Sequence, residues 1–213
     1  VKILSINNAF QPSVAVFSEN ERIIFSISAY QEDDKPNNIL HITKTILDSI
    51  NIVPKAIELV SVVYGPGNFT GTRIGVVEGK IISYALNIPI VPVNSLEFIA
   101  AHFKEEVYSV LPAGKNEYFI AKFDNGVRIE EDRIEKGDFL KNLKGPVASP
   151  YEEIKDLLDK SDFVKVNLDP VILIKITLKE YNNKNIFKNP LALNPIYLHA
   201  IDMIFRKYKN GRN

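Results

Sequence analysis

One run of eleven residues combines types and spacing that do chemistry: Gly65-Pro66-Gly67-Asn68-Phe69-Thr70-Gly71-Thr72-Arg73-Ile74-Gly75. Its glycines let a backbone approach a ligand closely. Asn68 and Thr70 offer side-chain oxygens, and Arg73 offers a guanidinium. The run follows Leu59-Val60-Ser61-Val62-Val63-Tyr64, whose β-branched content predicts a buried strand. It precedes a helical pattern from Val76 to Leu86. Pro66 has no N–H and the flanking glycines accept positive φ, so Gly-Pro-Gly ends the strand. Thr70 is a usable N-cap for the helix. A helix opening there aims free N–H groups and the positive end of its dipole into the turn, which suits a phosphate. Asn7, at the tip after the first strand, is the polar side chain that such a site would share. No Gly-Lys-Ser/Thr follows, so the run is not a P-loop, and it lacks Gly-x-Gly-x-x-Gly spacing. Two readings stay open: a phosphate cradle, with Asn7, Gly65, Gly67, Asn68, Thr70 and Arg73 as its candidates, or a tight turn packed on a neighbour.

A second pattern starts in the same run. Gly71, Gly75, Gly79 and Ser83 recur every four residues and so share a helix face. Glycine in an exposed helix costs about 1 kcal/mol relative to alanine. A smooth ridge is useful where another backbone must come close, either from a partner or within the domain. Ile74, Val77, Ile81, Ile82 and Ala85 add apolar surface nearby, and Glu78 lies on the same helix. On the partner reading, Gly75→Leu or Gly79→Leu breaks dimerisation more than folding.

The whole chain bounds these readings. It has 213 residues, 46% hydrophobic and 24% charged, as in an ordinary globular protein of one large domain or two small lobes. Lys plus Arg equals Asp plus Glu at 26 each, which argues against nucleic-acid binding by bulk electrostatics. The absence of cysteine excludes disulfides and thiolate chemistry and fits a reducing compartment. No apolar run reaches the roughly 18–20 residues of a membrane span. Val1-Lys2-Ile3-Leu4 enters a strand pattern directly, with no signal peptide, so a cytoplasmic location is expected. The histidines, His41, His102 and His199, are scattered, and position 45 is Thr45, so no His-x-x-x-His pair exists and no metal site is expected.

The elements that must position the run follow in order. Strands are predicted over Lys2 to Asn7, Ser13 to Ser18 and Arg22 to Ser28, an antiparallel meander. Gln31 to Asn38 is a polar loop. Ile39 to Ile50 has amphipathic helical spacing, with Asn38 as its cap. The strand before the glycine turn, the helix from Thr70 to Leu86, a strand at Pro89 to Val93 and a helix capped by Ser95 complete a mixed α/β layer. From about Lys104 the plan restarts. Strands are expected at Glu106 to Leu111, Glu117 to Phe123 and Val127 to Ile134, with an Asn125-Gly126 hairpin turn. A short helix near Phe139, a strand at Pro146 to Ala148, a helix from Glu152 to Leu158, a strand at Phe163 to Val166 and a helix from Val171 to Lys179 follow. Tyr181 to Lys188 reads as a loop, Pro195-Ile196-Tyr197-Leu198 as a short apolar run, and Arg206 to Lys209 as a solvated basic end. The expectation is two lobes of common plan, residues 1–103 and 104–213, in an α/β actin/hexokinase/Hsp70-like (RNase H-like) architecture.

The eleven-residue run resembles the signature of the bacterial TsaB (YeaZ) family, usually written Gly-Pro-Gly-Ser-Phe-Thr-Gly-Leu-Arg-Ile-Gly; nine of eleven positions agree. Ile3-Leu4-Ser5-Ile6 is similar to the family's first strand, and Ile88 to Glu97 to its Ile-Pro-to-Ser-Leu-Glu segment. Glu117-Tyr118 is similar to the end of its Asp-Ala-Arg-x-x-Glu-Val-Tyr segment, and Pro195 to Leu198 to its Pro-x-Tyr-Leu. The resemblance implies a non-catalytic paralogue of TsaD, a scaffold that works with TsaD and the ATPase TsaE to make threonylcarbamoyladenosine in tRNA beside the anticodon. It implies a homodimer in isolation, tRNA contact only through the complex, no membrane, no intrinsic cofactor, and ATP or ADP only at a partner interface. It also implies that two N-terminal helices form the dimer contact, here Ile39 to Ile50 and Gly71 to Leu86. The interface candidates are Ile39, Thr43, Ile46, Ile50, Gly71, Gly75, Val76, Gly79 and Ser83.

The chain departs from the family pattern at named places. The family's Asp-Thr-Ser after the first strand is Asn7-Asn8-Ala9, its Asp-Ala-Arg is Pro112-Ala113-Gly114, the Arg after Tyr-Leu is His199, and Thr72 replaces Leu. Loss of the tip carboxylate weighs against metal or nucleotide binding by this subunit. A stand-alone actin-like nucleotide-binding protein or ATPase is the alternative; it needs carboxylates for magnesium, and the tip supplies Asn7. A metallopeptidase fails on its ligand count.

Overall fold

The computed structural model describes residues 1–30 and 39–198; the side chains of Ile39 and Leu40 are outside that description. The expected loop Gln31 to Asn38 with its Asn38 cap, His199, and the basic end Arg206 to Lys209 lie outside the described residues.

Two sheets carry the chain. The first uses β1 (Lys2–Asn7), β2 (Ser13–Glu19), β3 (Arg22–Ala29), β4 (Leu59–Gly65) and β5 (Ile90–Asn94) in the order β3-β2-β1-β4-β5. The meander is antiparallel, and β4 and β5 join parallel, with Leu4 opposite Val60 and Val60 opposite Ile90. Helical crossovers make those parallel joins: α1 (Ile39–Ser49) before β4 and α2 (Phe69–Leu86) before β5. The short helix α3 (Ser95–Ala100) leads towards the second sheet. That sheet uses β6 (Val107–Gly114), β7 (Glu117–Asp124), β8 (Val127–Arg128), β9 (Arg133–Lys136), β10 (Val147–Ser149) and β11 (Phe163–Lys165), with the short helix α4 (Gly137–Leu140) between β9 and β10. Its order is β11-β10-β6-β7-β8, with β9 also on β7. Here too an antiparallel group is extended by two parallel strands. The repeated plan is the two-lobed α/β actin/hexokinase/Hsp70-like (RNase H-like) architecture.

Burial follows the strand period of two. Leu4, Ile6, Val60 and Val62 face α1 and α2, joined by Ile46, Leu47 and Val76. Ile3, Leu59, Val63, Val91 and Val93 face the other way. There they meet α5 (Pro170–Asn182), α3, and Leu111, Phe119, Ala121 and Phe123 of the second sheet, so one apolar cluster runs between the lobes. Val110, Ile120 and Val147 form a smaller cluster on the outer face of the second sheet. A buried hydroxyl chain fastens α5 to the first sheet. Ser61 Oγ lies 2.6 Å from Ser5 Oγ, and Thr177 Oγ1 lies 2.8 Å from both Ser61 Oγ and the Leu173 carbonyl.

Several local expectations change. The strand from Val127 to Ile134 divides into β8 and β9, both paired to β7. The helix from Glu152 is a 3₁₀ turn, Glu152–Leu157. α5 runs on to Asn182, into the expected loop, and is capped by Asp169, whose Oδ1 accepts from Val171 N. Asn94, not Ser95, caps α3, accepting from Leu96 N and Glu97 N. After α5 the chain crosses the first sheet's edge, where Phe187 and Ile90 exchange backbone hydrogen bonds. That contact covers the edge of β5. The chain then runs over α2, with Leu193 buried and its carbonyl accepting from Lys80 Nζ.

Candidate functional site

The glycine turn sits where β4, the β1–β2 tip, the start of α2 and the last described residues converge. The tip closes on itself. Asn7 is fully buried; its Nδ2 donates to the carbonyls of Phe10 (3.0 Å) and Pro12 (2.9 Å), and its Oδ1 accepts from Ala9 N at 3.1 Å. An aspartate cannot make the two donations, so the amide gives the tip a pattern of its own. Asn8 Oδ1 accepts from Ser13 Oγ at 2.8 Å.

The turn leans on this tip. Asn68 N donates to the Ala9 carbonyl at 2.7 Å, and the Gly71 N–H is taken by Asn68 Oδ1 at 2.9 Å. Asn68 is therefore the N-cap of α2, and Thr70, expected in that role, is exposed inside the first turn. The difference is one of phase: both residues suit a cap, and the chain leaves extended geometry at Asn68. Gly65 has φ +112°, and a side chain there would lie 3.2 Å from the Ile196 carbonyl. A Cβ at Gly67 would sit 2.3 Å from the Ala9 carbonyl oxygen. Of the six phosphate-site candidates, Asn7, Gly65, Gly67 and Asn68 lie at this junction, with Asn7 and the Asn68 and Gly71 amides bound to the chain itself, whereas Thr70 is exposed and the Arg73 side chain turns to Phe69 and Tyr197. Below it, Asn8 Nδ2 and Thr72 Oγ1 are buried without a hydrogen-bond partner among the described residues.

The small-residue row has the same destination, and the partner reading of that row is corrected. Gly71, Gly75, Val76, Gly79 and Ser83 are buried inside the chain. A Cβ at Gly71 would lie 2.2 Å from the Asn8 carbonyl oxygen, at Gly75 3.1 Å from Asn8 Cβ, and at Gly79 3.2 Å from Ile90 Cδ1. What approaches the ridge belongs to the chain itself: the Asn8 backbone at Gly71, Asn8 again at Gly75, and the Ile90 and Val62 side chains of the sheet at Gly79. On α1, Ile46 and Thr43 are buried and Ile50 packs against the same core; Ile39 begins the helix. None of the eight whose side chains are described faces outward.

The opposite face of α2 is open. Phe69, Val77, Ile81 and Tyr84 are 45–65% exposed. With Arg73, they form a row at four- and three-residue spacing. Val77 and Ile81 were visible in the sequence as apolar surface. Tyr197 was not: its hydroxyl accepts from Arg73 Nε at 2.8 Å, and its ring lies 5.6 Å from that of Phe69. The Arg73 guanidinium stacks 4.1 Å over Phe69. Ile196 N donates to the Tyr64 carbonyl at 2.9 Å, so Pro195 to Leu198 is a strap across the turn.

Polar contacts also close the lobes on each other. Gln11 N donates to Tyr151 Oη at 3.0 Å, and Asn94 Nδ2 donates to Asp132 Oδ2 at 2.6 Å. Asp132 also pairs with Arg128. Burial raises the pKa of Tyr64 and Tyr151 and lowers that of Arg128. His102 joins α3 to α5. Its Nδ1 lies 2.9 Å from the Phe98 carbonyl, and its Nε2 accepts from Asp169 N at 3.0 Å. Those partners select the neutral ring protonated on Nδ1, and burial holds its pKa below the usual histidine value. Among the described residues no three His, Asp or Glu side chains gather to hold a metal ion, and no helix is long and apolar enough to cross a membrane.

Comparison with known proteins follows the same lines. Residues 33–159 match the family model of TsaD, tRNA N6-adenosine threonylcarbamoyltransferase. The tRNA threonylcarbamoyladenosine biosynthesis protein TsaB of Buchnera aphidicola (subspecies Acyrthosiphon pisum) is 30% identical over 206 residues, covering 86% of this chain and 91% of that protein. TsaB of Bacillus subtilis is 26% identical over 151 residues, covering 67% of this chain and 66% of its own length. The solved structure of YeaZ from Pseudomonas aeruginosa superposes with a TM-score of 0.76 at 15% identity, covering 92% of this chain and 99% of that one. The chain belongs to the TsaB (YeaZ) family, a paralogue family of TsaD.

Proposed function

We propose that this chain is a non-catalytic partner subunit of a TsaD-type enzyme in the cytoplasmic synthesis of threonylcarbamoyladenosine in tRNA beside the anticodon. Involvement in that synthesis follows from its family, whose relatives carry the name of the pathway. The partner role rests on one observation: α2 has its small-residue face locked inside the chain and an apolar face, Phe69, Val77, Ile81 and Tyr84, open to solvent. Phe69, Val77 and Ile81 are each about half exposed, so covering one gains roughly half of the ~1.5–3 kcal/mol of a full burial, and a helix from another protein seated on this row gains from all three. In isolation the same face pairs two copies; in the complex it takes the TsaD-type subunit. A TsaE-like ATPase completes the assembly, and tRNA is met through the complex. A nucleotide is expected at a partner interface rather than in the glycine turn, where Asn7 and two amides are already bound by the chain.

Reconstitution tests this. Threonylcarbamoyl transfer to tRNA by the TsaD-type subunit requires the present chain, and the chain alone turns nothing over. Transfer that is undiminished without it contradicts the proposal. Tight magnesium-ATP binding by the isolated chain would instead favour the stand-alone nucleotide-binding alternative.

A further inference from the structure

We propose that Arg73 is the charged anchor of the outer face of α2, and that its guanidinium takes a carboxylate from the partner protein that covers this face. The proposal rests on the reading of that face as the partner-binding surface.

Arg73 is exposed yet held in place. Nε is fixed on the Tyr197 hydroxyl, the plane lies on the Phe69 ring, and Tyr197 is itself fixed by the strap through the Ile196–Tyr64 backbone hydrogen bond. Four N–H donors on the two terminal nitrogens remain. No carboxylate pairs with them among the described residues; of the other described arginines, Arg128 and Arg133 have acidic partners and Arg22, at the start of β3, has none. A guanidinium left unpaired when its surroundings lose water is strongly destabilising. The neighbours on the row, Phe69, Val77 and Ile81, are the side chains whose burial would drive association. A surface that covers them must also bring an anion to Arg73. A protein carboxylate matches the planar fork in two parallel hydrogen bonds, and a lysine would not present that geometry. The arrangement also resembles an interface hot spot in composition, with arginine and tyrosine at its heart.

The test is calorimetric titration with the purified TsaD-type subunit of the same host, using wild type, Val77→Asp, Arg73→Gln, Arg73→Glu and Tyr197→Phe, each checked by thermal melting. Val77→Asp abolishes binding. Arg73→Glu weakens it by at least about 30-fold and Arg73→Gln by somewhat less. Tyr197→Phe, which removes only the acceptor of Nε, has a smaller effect in the same direction. Added salt weakens wild type more steeply than Arg73→Gln. If Val77→Asp abolishes binding and both Arg73 variants bind as wild type, the anchor is overturned and the face stands. If Val77→Asp binds as wild type, face and anchor fall together. Inorganic phosphate or magnesium-ATP bound by the isolated chain and lost in Arg73→Gln would also overturn the proposal, assigning the guanidinium to a phosphate.

Discussion

The two faces of α2 are built on the same four-residue period and do opposite work. Gly71, Gly75, Gly79 and Ser83 lie against the Asn8 tip and the sheet, at distances that leave little or no room for a Cβ at the three glycines. Two positions along, Phe69, Arg73, Val77 and Ile81 carry large side chains with nothing from the first sheet above them. An offset of two residues turns a helix by about 200°, so the rows are nearly back to back. The inner row is small because the Asn8 tip and the Ile90 and Val62 side chains of the sheet press against it. The outer row is large and, apart from Arg73, apolar, which the fold alone does not require. A helix used only for internal packing would carry polar side chains outside.

Substitutions on the inner row carry the largest expected effect on the fold. Gly71→Ala forces a methyl group to 2.2 Å from the Asn8 carbonyl oxygen, a backbone atom. It should destabilise the fold by about 3 kcal/mol, lowering Tm by on the order of 10 °C in a melt followed by circular dichroism. Gly75→Leu should act in the same direction. That reverses the expectation that such changes break dimerisation more than folding, and an unaltered Tm would refute the internal packing of this row.

Asn7→Asp tests the tip against which the inner row packs. The carboxylate would face the Phe10 and Pro12 carbonyls where the amide now donates. A loss of about 2 kcal/mol in urea unfolding at neutral pH is expected. Such a carboxyl has its folded pKa raised, so the loss should shrink as the pH falls towards the unfolded value of about 4. Equal loss at pH 7 and pH 4 would argue for a different cause.

The smallest effect lies on the far side of the sheet. His102 is held neutral with its pKa lowered by burial, and the Nε2 acceptor that receives the Asp169 N–H is lost on protonation. The unfolded chain therefore binds the proton more readily. The stabilisation is complete above about pH 6.5 and is lost as the pH falls through the folded pKa. His102→Gln should flatten the stability profile between pH 7 and pH 5 and leave partner affinity unchanged. A parallel loss of affinity would mean that α2 is not an independent surface.

How much of this was readable in the sequence depends on the range of the interaction. Strand, glycine turn and helix were legible because their signals are local: β-branched residues, Gly-Pro-Gly and a four-residue period. Period shows which residues share a face and says nothing of what lies opposite. The Gly71–Asn8 approach depends on how β1 stacks beside β4, and the ridge was therefore assigned to the wrong neighbour. The cap shifted from Thr70 to Asn68 because both are suitable and only the strand's end decides. Tyr197 was invisible as a partner of Arg73, from which it is separated by 124 positions. The second lobe was legible in plan and less so in detail, since β8 and β9 are short and meet β7 separately.

On the proposed function, the outer face of α2 binds the partner while the inner face holds the fold. Ile81→Asp tests it in one sample, with Tm and affinity for the TsaD-type subunit measured side by side. The account predicts Tm within about 2 °C of wild type, because Ile81 is 57% exposed, and an affinity lower by roughly 100-fold. Wild-type affinity in a folded Ile81→Asp protein would contradict it.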